Sequence, residues 1–470
     1  MNFTELVFND TQNDDKSAFI VNDHDVSYKD LKANIKKYYK FLQQNNITKG
    51  ENVVLIGTDS HYFVSMVLAC WAAGIKTYCP SPSFSMDSIK TLCDRLQVKN
   101  IFCNDDNHDE LSKSFNCALH PIEQIVQVYD DGIDIVFYQW SENEIVHYFN
   151  TTGSSGVPKL IPHPMSNLVN YAVEWAEALS VEKQDTIYCC PKICFNYGFG
   201  ISLLVNLFKK TTAILHTGST SPNKIKHVFK NYQPDYFFVV PEIAYMLALK
   251  KLDIDLSNVK KFISASDFLP TRISEEIEQK YNKKLLDLIG MAETFGFYTI
   301  IDEQNYKKGT VGKPMANVQI KIEDDIIHVK TNFSAKQYLN DKNNTDKVFK
   351  GEWVRTRDRG HFDNDGYLVF DGRADNLIKI KSKFLSPIEV ENVLTYYPGV
   401  VTSLINVEHD EYGLPVLCAQ LVVDSEVDTM QLKKWLKTRL EPHKIPKKIS
   451  FIDEIKTTYN GKKIRQQSNV

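Results

Sequence analysis

The sequence predicts an α/β protein: a large N-terminal domain of layered α/β subdomains plus a small β-barrel or antiparallel sheet, followed by a small α+β C-terminal domain. Three observations predict it. From Ala18 to Ile289, short apolar runs alternate with longer stretches of helical periodicity, the pattern of parallel strands joined by helices. From Val311 to Val369 the texture turns to short alternating strands joined by polar turns. Beyond Gly372, two helix-like stretches, two strand-like runs and a basic tail make a unit of small-domain size. The boundary is placed near Asp371–Asp375, dividing residues 1–371 from 372–470.

Taken in order, Ala18–Val21 and Val26–Tyr28 read as strands, and Lys29 to about Asn45 as a helix. Asn52–Gly57 is an apolar strand, and an amphipathic helix then runs through Ala73 and stops at Gly74. Ile75–Cys79 is a strand before a turn at Pro80 and Pro82. Further strands are expected at Ile101–Cys103, Ile135–Tyr138, Thr212–His216, Tyr236–Val240, Lys261–Ser264 and Leu285–Ile289. Val318–Ile322 and Ile326–Val329 belong to the antiparallel unit, and Asp363–Gly366 is turn chemistry between two of its strands. In the C-terminal part, Pro387–Leu394 and Met430–Leu440 read as helices, and Ser403–Val407 and Val416–Val423 as strands.

The chain has 470 residues, 43% hydrophobic and 24% charged, which is ordinary globular composition. A net charge of −4 implies no general affinity for nucleic acid or an anionic membrane. No N-terminal apolar targeting stretch and no run long enough to span a bilayer is seen, so the expected location is the cytoplasm. The nine cysteines include no CxxC pair and no zinc-like Cys/His spacing; Cys189, Cys190 and Cys194 read as buried thiols in a reducing compartment.

Thr151-Thr152-Gly153-Ser154-Ser155-Gly156-Val157-Pro158-Lys159 holds two glycines, four hydroxyls and a lysine, and follows a strand-like run. Glycine lets backbone approach a ligand closely, and backbone N–H groups with Ser/Thr hydroxyls can wrap phosphate oxygens. Pro158 and Leu160 flank the lysine where a Walker A loop needs Gly and Ser/Thr. Taken alone, a polar surface turn fits equally well.

Ile289-Gly290-Met291-Ala292-Glu293 closes a strand with a glycine and then a carboxylate. Glu293 can point into the crevice at the carboxyl end of a parallel strand and hold Mg²⁺ there; an acidic first turn of a helix is the plainer alternative. Asp358 can accept both hydroxyls of a ribose or be an exposed surface charge, and Arg373 can serve from the other side or simply pair with an acid. The tail Thr457–Arg465 is either a solvated basic segment or a carrier for a working lysine.

In this order and spacing, the segments resemble the ANL superfamily of adenylate-forming enzymes: acyl- and aryl-CoA ligases, peptide-synthetase adenylation domains and luciferases. Thr152–Lys159 is similar to the phosphate loop [ST]GTTGxPK, and Gly290–Glu293 to the GxTE segment. Thr356-Arg357-Asp358 is similar to T-G-D, with Arg in place of Gly. Gly372–Asp375 resembles the GRxD hinge, Pro387–Glu391 the PxEIE that follows it, and Thr458–Arg465 the TxxGKxxR tail. Val26–Leu31 resembles the opening LTYxEL. The likeness covers nearly the whole chain.

Gly290-Met291-Ala292-Glu293 and Lys159–Pro162 look closest to aryl-acid AMP ligases that load carrier proteins. Phe195-Asn196-Tyr197-Gly198-Phe199-Gly200 and Val240-Pro241-Glu242 look closest to benzoate-type CoA ligases. The resemblance implies a pocket for a small carboxylic acid at Phe195, Asn196, Tyr197, Gly198 and Ile289. Asn196, where amino-acid-activating domains usually place Asp, argues against an amino acid; it can bond a ring hydroxyl or cap a neighbouring turn.

The implied reaction has two halves. A carboxylate, here an aromatic acid of the benzoate or hydroxybenzoate kind, attacks the α-phosphate of ATP; a thiol of CoA or of a carrier protein's phosphopantetheine then takes the acyl group. The implied ATP and AMP ligands are Thr151, Thr152, Gly153, Ser154, Ser155, Gly156, Lys159, Gly290, Met291, Ala292, Asp358 and Arg373. Glu293 is implied to hold Mg²⁺, Lys462 to bridge the carboxylate and α-phosphate, and Asp375 to be the hinge of a mobile C-terminal domain. Lys381-Ser382 stands where the family shows Gly-Gly or Ser-Gly, which makes the thioester step less secure; Lys381 and Lys383 can instead meet CoA phosphates or an acidic carrier protein. Fatty-acyl activation and a non-catalytic nucleotide-binding homologue are the competing readings.

Overall fold

Ser27 shows how local sequence sets the first long helix. Its hydroxyl accepts from the Asp30 N–H and the Asp30 carboxylate reaches back to the Ser27 N–H, a reciprocal cap that starts Tyr28–Gln44. Tyr28, Leu31, Ile35, Tyr38 and Leu42 then recur at three- and four-residue steps and are buried together. The structure is a computed structural model that describes residues 2–9, 14–82, 84–151, 158–249, 252–380, 383–409, 415–457 and 463–465.

Two large sheets form the N-terminal part. The first has seven strands in the order Leu286–Asp287, Lys261–Ser264, Tyr236–Val239, Thr186–Cys189, Thr212–Leu215, Ser17–Val21 and His24–Ser27. All its pairings are parallel except the last. The second has six strands: Ala118–Pro121, Asn100–Cys103, Asn52–Ile56, Lys76–Tyr78, Ile145–Thr151 and Lys159–Pro164. Its one antiparallel pair is the closing hairpin. A five-stranded antiparallel sheet follows, built from Gln319–Glu323, Ile326–Lys330, Phe349–Lys350, Trp353–Phe362 and Leu368–Arg373. Beyond it, Val400–His409, Pro415–Val423 and Lys448–Phe451 form a three-stranded sheet, with the helices Pro387–Thr395 and Thr429–Leu436 beside it in sequence. Its apolar cluster, from Ile378 to Leu440, is separate from those of the N-terminal sheets.

Three expectations change. The helix His61–Ala72 is not amphipathic: Phe63 to Ala72 are all buried, and most of its apolar residues belong to the largest core cluster. A helix enclosed on every side has no polar face to show. Ile135–Tyr138 joins no sheet; Tyr138 N–H donates to Ala72 O and its ring packs on Gly74, while Val136 stands exposed. In the expected strand Leu285–Ile289 only Leu286–Asp287 pairs, because the chain turns at Gly290.

Candidate active site

A cavity lies at the carboxyl ends of strands from both large sheets, lined by Gly57, Asp59, Ser81, Lys192, Cys194 and Gly218 among others. Such strand ends are where open α/β sheets bind ligands. Asp59 Oδ1 accepts from Ile193 N–H at 3.1 Å, and Asp59 Oδ2 lies 3.9 Å from Lys192 Nζ, which donates to His216 O at 2.6 Å. Burial pushes the Asp59 carboxyl up to about 6, against the opposing pull of Lys192 and the Ile193 N–H. These bonds tie the segment after Thr186–Cys189 to both sheets, and so fix the start of Phe195–Gly198.

Gly198 fits only as glycine: a Cβ would lie 2.3 Å from Lys192 O and 2.4 Å from Pro191 O. Tyr197 is buried; its hydroxyl donates to Val239 O at 3.3 Å and its ring meets Phe297 edge-on at 4.6 Å. Asn196 Nδ2 donates to Phe295 O at 3.1 Å, bracing this segment against the turn that carries Glu293. That turn begins at the buried Ile289. Gly290 bridges to Phe297, and a Cβ on it would lie 2.5 Å from Gly296 O. Phe195 is half-buried beside this apolar wall.

Charged groups converge on the other side of the turn. Thr151 pairs with Lys159 across the hairpin, so the two stems of the predicted phosphate loop are adjacent; Thr152, Gly153, Ser154, Ser155 and Gly156 lie outside the described residues. Met291 and Ala292 pack against the cluster that holds Tyr338. The Tyr338 hydroxyl donates to Glu293 Oε1 at 2.5 Å, and Lys159 Nζ stands 5.1 Å from the centre of the Tyr338 ring. Burial and the Glu293 charge push the Tyr338 phenol up, keeping it a donor. Burial draws Lys159 below its ordinary value, with Arg357 adding to the effect.

Asp358 and Arg373 face each other across two antiparallel strands, with Arg373 NH1 at 3.3 Å from Asp358 Oδ1. Arg373 Nε also donates to Asp375 Oδ1 at 3.0 Å, and Arg357 NH1 to Asp375 Oδ2 at 3.3 Å. Glu293, Tyr338, Lys159, Asp358, Arg373, Arg357 and Asp375 thus form one linked electrostatic group.

Lys462 lies outside the described residues, but both its flanks are placed. Thr457 and Lys463 form an antiparallel bridge. Lys463 N–H donates to Asp267 Oδ2 at 3.3 Å, and Glu242 is hydrogen-bonded to Thr457. Asp267 and Glu242 each follow a parallel strand of the seven-stranded sheet by three residues, so the tail arrives at the sheet's carboxyl edge. Lys381 and Ser382 also lie outside the described residues.

Sequence reading missed Tyr338 and a set of buried oxygens. Ser264 Oγ, Asp287 Oδ1 and Tyr298 OH are buried without a hydrogen-bond partner, which a ligand or an ordered water would supply. Ser264 and Asp287 are register partners at adjacent strand ends. No local signal marks them: Asp287 sits within the apolar run Leu285–Ile289, and Tyr338 in a polar stretch.

Among the described residues no group of three or more His, Cys, Asp and Glu could hold a metal, and no helix is long and apolar enough to cross a membrane. Two family models match the chain: AMP-binding enzyme over residues 8–328, and AMP-binding enzyme C-terminal domain over residues 389–462. The benzoate–CoA ligase of Thauera aromatica is 28% identical over 66% of this chain and 63% of that protein. The 3-hydroxybenzoate–CoA ligase of Aromatoleum sp. (strain CIB) is 22% identical over 95% of this chain and 92% of that protein. The crystal structure of the anthranilate CoA ligase AuaEII in complex with anthranoyl-AMP superposes with a TM-score of 0.91 at 19% identity, covering 98% of this chain and 95% of that one.

Proposed function

The chain belongs to the AMP-binding enzymes of the ANL superfamily, and from that premise we propose that it is an ATP-dependent aryl-acid ligase that forms an acyl-adenylate and passes the acyl group to CoA. One observation carries the reading: unpartnered buried oxygens and the flanks of Lys462 meet at the carboxyl edge of the seven-stranded sheet, and Glu293, just past its strand Leu286–Asp287, joins that edge to the charged cluster.

In this reading Asp287 and Ser264 receive the amino edge of adenine, Asp358 and Arg373 hold ribose, and Thr151–Lys159 holds the β- and γ-phosphates with Gly290–Ala292 alongside. Glu293 is oriented by Tyr338 to hold Mg²⁺. A bound magnesium ion would offset charge on the phosphates.

The acid sits between Phe195–Gly198 and Ile289–Phe297, and its aromatic character is supported by the apolar wall and by the relatives' substrates. Its carboxylate oxygen attacks the α-phosphorus, and the bond to pyrophosphate breaks. Lys462 neutralises the charge shared between carboxylate and α-phosphate, so the residues act by position and electrostatics. The C-terminal unit, residues 372–470, then turns about Asp375. A thiolate attacks the acyl carbonyl and AMP departs.

Acid-dependent ATP–pyrophosphate exchange across a panel of benzoates, other aryl acids and octanoate tests this. Exchange with a benzoate is expected, followed by AMP release on adding CoA; pantetheinylated carrier protein is the second acceptor arm. If no carboxylic acid supports exchange, the reading is wrong.

A further inference from the structure

Arg357 occupies the place where the T-G-D motif has glycine, and the reaction as described gives it no task. It lies on Trp353–Phe362 next to Asp358 and is half-buried. Its NH1 donates to Asp375 Oδ2 at 3.3 Å, where Arg373 already holds both Asp375 oxygens, at 3.0 and 3.4 Å. Asp375 therefore carries two guanidinium groups, and Arg373 has a second carboxylate in Asp358. The Arg357–Asp375 contact is long, single and about one-third exposed on both sides, the kind of ion pair that adds little by itself. A cation so lightly held is free to move to a stronger anion.

Arg357's charge reaches both Lys159 and Tyr338; Lys159 lies over the Tyr338 ring, and Tyr338 bonds the Glu293 carboxylate. The positive charge of Arg357 is permanent, and its planar fork suits a phosphate. Resting on the reading of this site as an ATP site, we propose that Arg357 is a nucleotide-phosphate ligand: it leaves Asp375 to hold the β- or γ-phosphate of MgATP, and pyrophosphate after it forms, and returns to the hinge residue when pyrophosphate departs. No covalent step is added.

Equilibrium titrations of the full-length protein with MgATP, magnesium pyrophosphate and AMP test this in wild type, Arg357→Gln and Arg357→Lys. Loss of one charge-assisted phosphate contact is expected to weaken MgATP and pyrophosphate about tenfold in Arg357→Gln. AMP binding should change less than about twofold, and Arg357→Lys should restore part of the loss. An equal loss for AMP, or unchanged MgATP and pyrophosphate affinity with wild type binding both, overturns the proposal and leaves the ATP site standing. A wild type that binds neither MgATP nor AMP overturns the site itself.

Discussion

Asn196 and Tyr338 mark what a single residue can reveal. The amide of Asn196, legible as a polar group in an apolar segment, spends its donor on Phe295 O and so braces the pocket. Tyr338 was illegible, because one tyrosine in a polar stretch has no motif. Its role comes from folding over Glu293, 45 positions away. Tyr338→Phe keeps the ring beneath Lys159 and removes only the hydroxyl. A lost hydrogen bond to a charged carboxylate is worth about 1.5–3 kcal/mol. We expect the magnesium concentration giving half-maximal pyrophosphate exchange to rise about tenfold, with the folded state kept as judged by circular dichroism.

At the scale of elements, the tail is fastened by Glu391 of the helix Pro387–Thr395. This carboxylate is 2% exposed and accepts from Arg465 NH1 and NH2 at 2.6 and 2.9 Å, from Lys463 Nζ at 3.4 Å and from Ile405 N–H at 2.8 Å. Two of the motifs read separately from the sequence, PIEVE and the GKxxR tail, are thus joined through Glu391, Lys463 and Arg465. Glu391→Gln leaves buried cationic groups unmatched, at a cost of about 3 kcal/mol. Amide exchange of residues 456–465 should quicken, and adenylation should fall more than AMP binding. Burial raises the Glu391 carboxyl, but Lys463 and Arg465 outweigh it and hold the group below its ordinary 4.5. A depressed carboxylate contributes stability that is present above 4.5 and lost as pH falls through the lower folded value. Tail protection in wild type should therefore collapse only in acid below 4.5, whereas Glu391→Gln should lack that step.

On the scale of the whole molecule, the question is what holds the C-terminal unit where Thr457 and Lys463 meet the sheet edge. Arg272, in the helix Thr271–Tyr281, donates to Thr395 O and to Val400 O, the latter at 3.0 Å, and Tyr245 OH meets Thr402 Oγ1 at 3.4 Å. If the C-terminal unit turns about Asp375 as proposed, these bonds would break, so removing them should favour the turned pose. Arg272→Ala should lower pyrophosphate exchange about three- to tenfold, the expected effect of about 1 kcal/mol on a two-state balance. Thiolysis of supplied acyl-adenylate should be unimpaired. Equal loss in both half-reactions would show that Arg272 supports the fold and not the pose.

The sequence by itself determined the layered α/β class, the antiparallel sheet and the motifs around Lys159, Glu293, Asp358 and Arg373, because strand periodicity, glycine turns and caps act over a few residues. Only the tertiary structure decided that the helix His61–Ala72 is enclosed, that Ile135–Tyr138 joins no sheet, that Tyr338 bonds Glu293, and that Asp287 and Ser264 are left buried without a hydrogen-bond partner. Burial and hydrogen-bond partnership depend on what distant segments bring to the same place, and local patterning carries no record of that.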